Sequence, residues 1–269
     1  MEIQSLPSAF LIAAAGLFGL MVGSFFNVVI YRMPRGESVA WPPSHCTHCG
    51  YRIKPRENIP LFSWLWLRGK CRSCSSPISM QYPLIEALTG VVAAAVVGYL
   101  MHSQSSMPVD FHVAVIYLAL ASIPIFIIDF RHFLIPDVLT LPGMALGVLL
   151  SFLPGGLTPW QSLLGGAGAG LFLWLVGYSA TLLLKKDAMG LGDVKLIAMA
   201  GCLFGLQVTL LGLIFASVLG CLVGLPMLLL KRLNESHHIP FGPYICVGVF
   251  LAALHGRQLA AWYLGLMGI

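Results

Sequence analysis

Gly190-Leu191-Gly192-Asp193 lies between two long apolar runs, 161–184 and 194–206, and follows the charged patch Lys185-Lys186-Asp187. Glycines let the backbone bend and approach other chains closely. An acid at the edge of a hydrocarbon segment is expensive unless it has a partner or a task. The chain offers one partner: Asp129 ends another apolar run, Leu118 to Ile128. Two carboxylates at one membrane face could share a proton and activate a water.

Composition agrees with a membrane setting. Of 269 residues, 58% are hydrophobic and 9% charged, against about 25% charged in a soluble domain. The chain is expected to be an all-α polytopic membrane protein with about eight transmembrane helices. Its net charge of +5 does not point to nucleic acid, because the basic residues form no single stripe. They lie in the connections between apolar runs, where they read as topology signals. The N-terminal apolar run has no basic region before it and no small-residue cleavage site after it, so it reads as a retained span rather than a signal peptide.

The expected spans are residues 8–30, 84–101, 111–128, 138–153, 161–184, 194–206, 208–230 and 241–265, with a polar loop over 31–82. Pro154-Gly155-Gly156 marks a turn. The loop holds eight of the fifteen Lys and Arg residues, so it is placed in the cytoplasm. Arg131, Lys185, Lys186, Lys195, Lys231 and Arg232 then also lie inside, and only Arg257 does not. The same assignment puts Asp129, Asp137, Asp187 and Asp193 at the cytoplasmic face and both termini outside. The expected division is a first helix over 1–30, the loop over 31–82 and a membrane core over 83–269. In the fifth span Gly166 and Gly170 stand at close-packing spacing, which reads as backbone contact between helices.

Four of the seven cysteines, Cys46, Cys49, Cys71 and Cys74, form two C-x-x-C pairs separated by 21 residues in the loop. Two such hairpins can complete a four-sulfur shell around structural zinc. Redox pairing and free thiols are the alternatives; a cytoplasmic location disfavours structural disulfides. Cys202, Cys221 and Cys246 fall in apolar segments and read as small core residues.

Two carboxyls at short range cannot both ionise cheaply, which supplies an acid and a base at one pH. That is the chemistry of aspartic proteolysis, and no Ser-His-Asp or H-E-x-x-H pattern competes for it. For either acid alone, an ordinary helix-end charge is the plainer reading. Glu86, at the start of the second span, suits a substrate's positive N-terminus or a cofactor, and equally a helix N-terminal charge favoured by the macrodipole. Ser24 and Asn27 in the first span could bond between helices.

The sequence resembles the bacterial type IV prepilin peptidases, bifunctional leader peptidases and N-methyltransferases, over nearly its whole length. Gly190, Gly192 and Asp193 match the family's GxGD motif. The segment from Asp129 through Pro136-Asp137 to Leu139-Thr140 resembles its first aspartate motif. Gly23-Ser24-Phe25-Phe26-Asn27, Asn58 to Trp64, Tyr82 to Glu86 and Pro240-Phe241-Gly242-Pro243 also fit. The resemblance implies that Asp129 and Asp193 are catalytic, with Asp137 structural or water-ordering. It implies a bacterial inner-membrane enzyme, of pilus or type II secretion systems. Such an enzyme cuts the basic leader from prepilins or pseudopilins at the cytoplasmic face, then methylates the new amine with S-adenosylmethionine. Gly69 and Lys70 match positions linked to methyl transfer, although a tight turn before a zinc knuckle would explain them as well. Rival readings are a GxGD intramembrane protease of other specificity and a non-enzymatic assembly scaffold.

Overall fold

The computed structural model describes residues 7–103, 106–186, 189–229 and 240–267; side chains at 228–229, 257 and 260–267 are not described. Asp187, Lys231 and Arg232 lie outside the described residues. The elements are α1 (Ser8–Arg32), α2 (Phe62–Trp66), α3 (Gln81–Ser103), α4 (Val109–His132), α5 (Asp137–Leu150), α6 (Pro159–Leu184), α7 (Leu191–Leu229) and α8 (Gly242–Met267). Among the described residues there is no strand, only two isolated bridges, His45 with Arg52 and Lys70 with Pro77.

Among the described residues, helices cover most of each of the eight expected apolar segments. Five helices among the described residues are long and apolar enough to cross a membrane: Ser8–Arg35, Gln81–Ser103, Val109–His132, Pro159–Leu184 and Leu191–Met227. The helices over Asp137–Leu150 and Gly242–Gly256 are shorter. The expected sixth and seventh spans are two helical stretches, numbered together as α7, that meet at Gly205 in a non-helical conformation (φ 78°, ψ 170°) that glycine adopts without strain. Large side chains face outward, Leu17 and Met21 at 66% exposure and Leu183 at 83%. A soluble protein would bury such surface; lipid accepts it.

The chain divides into two compact units, residues 1–106 and 107–269. In the first, α1 packs along α3 through small residues. A Cβ at Gly19 would stand 2.6 Å from that of Ala93, and one at Gly23 would stand 2.7 Å from the Glu86 Cα. In the second unit α4 is the most enclosed helix, and its Ile125 and Ile128 share the core with Leu196, Met199, Ile245 and Val249.

Helix α6 starts on a capping box, with Thr158 and Gln161 exchanging bonds of 3.3 and 2.9 Å between side chain and amide. Gly165, Gly166 and Gly170 face α7, where a Cβ on Gly165 would meet the Gly201 carbonyl and one on Gly201 the Gly165 carbonyl. Ser162 Oγ donates to the Cys202 carbonyl at 2.8 Å across the same contact. Gly201→Val is therefore expected to cost about 3 kcal/mol, the upper end for overpacking, because backbone cannot move aside. Gly168→Ala, whose nearest neighbour is a Leu206 methyl at 3.4 Å, should be tolerated. Thermal melts in detergent compare the two.

Candidate active site and metal centre

Asp129 lies in the last turn of α4 and is 5% exposed. The helix ends on Phe133 in the left-handed conformation (φ 52°), whose amide bonds the Asp129 carbonyl at 2.9 Å. Pro136 is the residue before α5 and fixes the extended entry to that helix. Asp193 sits in the first turn of α7, its amide bonded to the Gly190 carbonyl at 3.2 Å. The two carboxyl groups are close enough to interact through their charges.

What joins these distant helix ends is the α4–α5 connection. Ile135 is buried, and a Cβ on Gly192 would stand 3.0 Å from its Cβ. A Cβ on Gly242 would stand 3.1 Å from its Cδ1 and 2.8 Å from Asp129 Oδ2. Glycine at 192 thus serves close approach, not a left-handed turn. The Gly242 amide, at the N-terminus of α8, donates to Asp129 Oδ2 at 2.9 Å. Cys246, one turn further along α8, is buried beside the pair and bonds Ser122.

Asp137 begins α5 and takes Lys195 Nζ at 2.8 Å on both oxygens. Both side chains are partly exposed, so the pair contributes little stability. Its effect is geometric: it ties α5 to α7 two residues from Asp193. Reading the sequence alone missed Lys195, Ile135 and Gly242 as partners of the acids. Gly242 lay in a quoted motif, and Lys195 two residues beyond another.

The four loop cysteines come together with their sulfurs within 4.8 Å of one another. The two hairpins repeat one geometry. Cys46 N–H bonds the Tyr51 carbonyl and Gly50 N–H the Cys46 carbonyl, both at 2.9 Å; Cys71, Ser76 and Ser75 repeat these bonds at the same distances. The turn residues Gly50 (φ 71°) and Ser75 (φ 59°) are both left-handed. Cys46 and Cys74 sulfurs are 3.9 Å apart, too far for a disulfide and close to the ~3.8 Å edge of a tetrahedron with Zn–S of about 2.3 Å. The Cys49 and His48 amides pointing at Cys46 lower its thiol to about 6. Bonds from Ser76 lower Cys74 as well. The donor set fits a metal. Glu57 cross-links the hairpins, accepting from Arg72 at 3.0 Å and from the Lys54 amide at 3.2 Å.

Gly69 is left-handed (φ 66°), and a Cβ there would stand 2.8 Å from the Trp64 ring. Lys70 pairs with Pro77 in the second hairpin. This gives both residues a structural reason, the turn before the second cysteine pair. Glu86 is buried, and its Oε2 accepts the Leu61 amide at 2.8 Å.

Comparison with known proteins converges on one family. Residues 17–100 match the bacterial peptidase A24 N-terminal domain, and residues 113–225 match the type IV leader peptidase family. The chain is 37% identical to a prepilin leader peptidase/N-methyltransferase of Aeromonas hydrophila, covering 92% of each. It is 36% identical to that of Stutzerimonas stutzeri, covering 97% of this chain and 96% of the relative. With the Pseudomonas aeruginosa protein it shares 34%, over 99% of this chain and 97% of the relative. No solved structure matches. Similarity on this scale, running through both units and across both acids and all four loop cysteines, means that the chain belongs to the type IV leader peptidase family.

Proposed function

We propose that the protein is a membrane-embedded aspartyl endopeptidase of the bacterial inner membrane. It removes the basic leader from type IV prepilins or pseudopilins at the cytoplasmic face and N-methylates the new N-terminal residue. The observation that carries the peptidase is the meeting of buried Asp129 and half-buried Asp193, 64 residues apart, at helix ends joined by Ile135. Such a pair shares one proton. The Gly242 amide holds Oδ2 of Asp129, which leaves Oδ1 to take the proton of an attacking water, while protonated Asp193 polarises the scissile carbonyl. Gly190, Gly192, Pro136 and the Asp137–Lys195 pair hold the geometry.

In this reading the break at Gly205 is a turn between two crossings, giving eight spans. The functional division is the first helix at 1–30, the methyl-transfer loop at 31–82 and the peptidase core at 83–269. Cys46, Cys49, Cys71 and Cys74 hold structural zinc. S-adenosylmethionine supplies an electrophilic methyl. Its candidate place is the open cleft lined by Arg56, Glu57, Ser63, Trp66, Leu67 and Arg72. Guanidinium groups suit a carboxylate and the indole suits a purine.

The test is incubation of the purified chain in detergent with a prepilin, read by mass spectrometry of the product N-terminus. Loss of the leader, and a further methyl when S-adenosylmethionine is present, is the expected result. An intact substrate across several prepilins would refute the assignment. Gly242→Val should lower kcat for cleavage by about 10²-fold with little change in KM, the penalty for displacing a reacting group by about 1 Å. Equal loss in KM would mean instead that the substrate site was disturbed.

A further inference from the structure

The first unit carries a polar cluster that the peptidase does not use. Ser24 and Asn27 on α1 face Glu86 on α3, in a helix contact that also holds Thr89. Asn27 is 3% exposed and Glu86 8%. Asn27 Nδ2 donates to the Gly23 carbonyl at 3.3 Å and to the Tyr82 carbonyl at 3.0 Å. Both partners are acceptors, so the amide orientation is fixed. Its Oδ1 is left buried with no partner. Tyr82 lies one turn before Glu86 on α3, and Ser24, which bonds Glu86, lies one turn before Asn27 on α1, so the orphan acceptor and the Glu86 carboxyl belong to the same α1–α3 contact.

Glu86 is held in place by a strained loop. Its Oε2 takes the Leu61 amide, and Ser24 bonds the same carboxyl. Leu61 is the centre of a γ-turn (φ 61°, ψ −51°), closed by the Phe62 amide on the Pro60 carbonyl at 2.6 Å. This turn is rare and strained for any residue with a side chain. No charged side chain among the described residues acts on Glu86 from α1, α3 or the loop. Polar residues that merely glue two membrane helices together satisfy each other; here an acceptor is left over in the helix contact that also holds a carboxylate. Two such acceptors suit a group that only donates, and an ammonium has three donors and no acceptor.

We infer that Glu86 and Asn27 form the acceptor-amine site for methyl transfer, binding the α-ammonium of an apolar peptide N-terminus. The inference rests on the bifunctional reading above, in which leader removal creates that group. The Glu86 carboxylate takes one proton from the ammonium. The freed lone pair attacks the methyl of the sulfonium donor, an N–C bond forms and the S–C bond breaks. The electron pair leaves on sulfur, giving a neutral thioether and a protonated secondary amine.

The test uses the full chain in detergent, a processed pilin peptide with a free N-terminus, the same peptide acetylated, and an intact prepilin. Glu86→Gln keeps an acceptor for Leu61, so the loop should hold. Methylation should fall about 10²-fold, the usual worth of a general base, while leader cleavage, the internal measure of folding, changes less than twofold. Raising the pH above the α-amino range of about 7.7–8.0 should restore much of the rate, because the amine then arrives neutral. Without any methyl donor, wild type should bind the free-amine peptide more tightly than the acetylated one. Glu86→Gln and Asn27→Ala should each lose that preference. Loss of methylation with no pH recovery and an unchanged preference would overturn the inference and leave Glu86 as a prop for Leu61. A parallel fall in cleavage would also overturn it. Absence of both activities in wild type would count against the bifunctional reading, and the binding preference would still decide the amine site.

Discussion

Asp193→Asn is expected to abolish leader cleavage, with a loss of about 10⁴-fold or more, while leaving the protein folded. Asp129→Asn should match it. Each change swaps one carboxylate oxygen for an amide of the same shape. At position 129 the remaining oxygen can still accept the Gly242 amide, which now bonds Oδ2, so packing at the α8 N-terminus survives. What is lost is proton transfer, worth about 10²–10⁴ for a single general acid or base, together with the charge that develops on the carbonyl. Groups acting as one unit are far from additive. The double variant should therefore be hardly worse than either single one. Because both acids belong to the second unit, methylation of a peptide already processed should persist in each variant. Mass spectrometry of the prepilin N-terminus, beside a thermal melt, settles the matter. Cleavage within tenfold of wild type by folded Asp193→Asn would remove the dyad from the mechanism.

Much of this site was legible in the sequence because membranes tolerate few charges. Asp129 and Asp193 stand out against apolar runs, and orientation from Lys and Arg put them at one face independently of any chemistry. The cysteines were legible for a similar reason: C-x-x-C spacing is set by the local turn, and both hairpins adopt the same one. The contacts that depend on tertiary packing were not legible. Nothing in the periodicity says that Ile135 wedges between Gly192 and Gly242, or that Lys195 reaches back 58 residues to Asp137. The expected spans 194–206 and 208–230 put a boundary close to the α7 break at Gly205. Its form as a single-residue interruption depends on φ and ψ that a glycine permits but does not dictate. Glu86 is the instructive case. Its acid character at a helix start was visible, yet the partner that distinguishes it, a strained Leu61 amide, comes from a loop whose path only the fold defines.

Removing the metal should have the other large effect, and a different one. Between residues 33 and 80 only Ser63, Gly69 and Cys71 are buried, so the loop has almost no apolar core with which to fold. Segments of this size need a staple, and a four-sulfur zinc site supplies about 10–16 kcal/mol of apparent binding energy that is in effect folding energy. Among the described residues the loop's one ion pair, Arg72 with Glu57, has an exposed partner and adds little stability. Replacing both Cys71 and Cys74 by Ser should thus leave the purified chain without zinc, where wild type should carry one ion per chain. The loop should become a preferred site of proteolysis, and methylation should drop below detection. Cleavage should be spared to within about tenfold, the cost of disturbing a separate unit being smaller than that of displacing a reacting group, since Asp129, Asp193, Ile135 and Gly242 all lie in the second unit. A variant that still bound one zinc would disprove the four-sulfur shell. Cleavage lost as fully as methylation would mean that the loop also serves the peptidase, by holding the leader or by supporting the helices around the dyad.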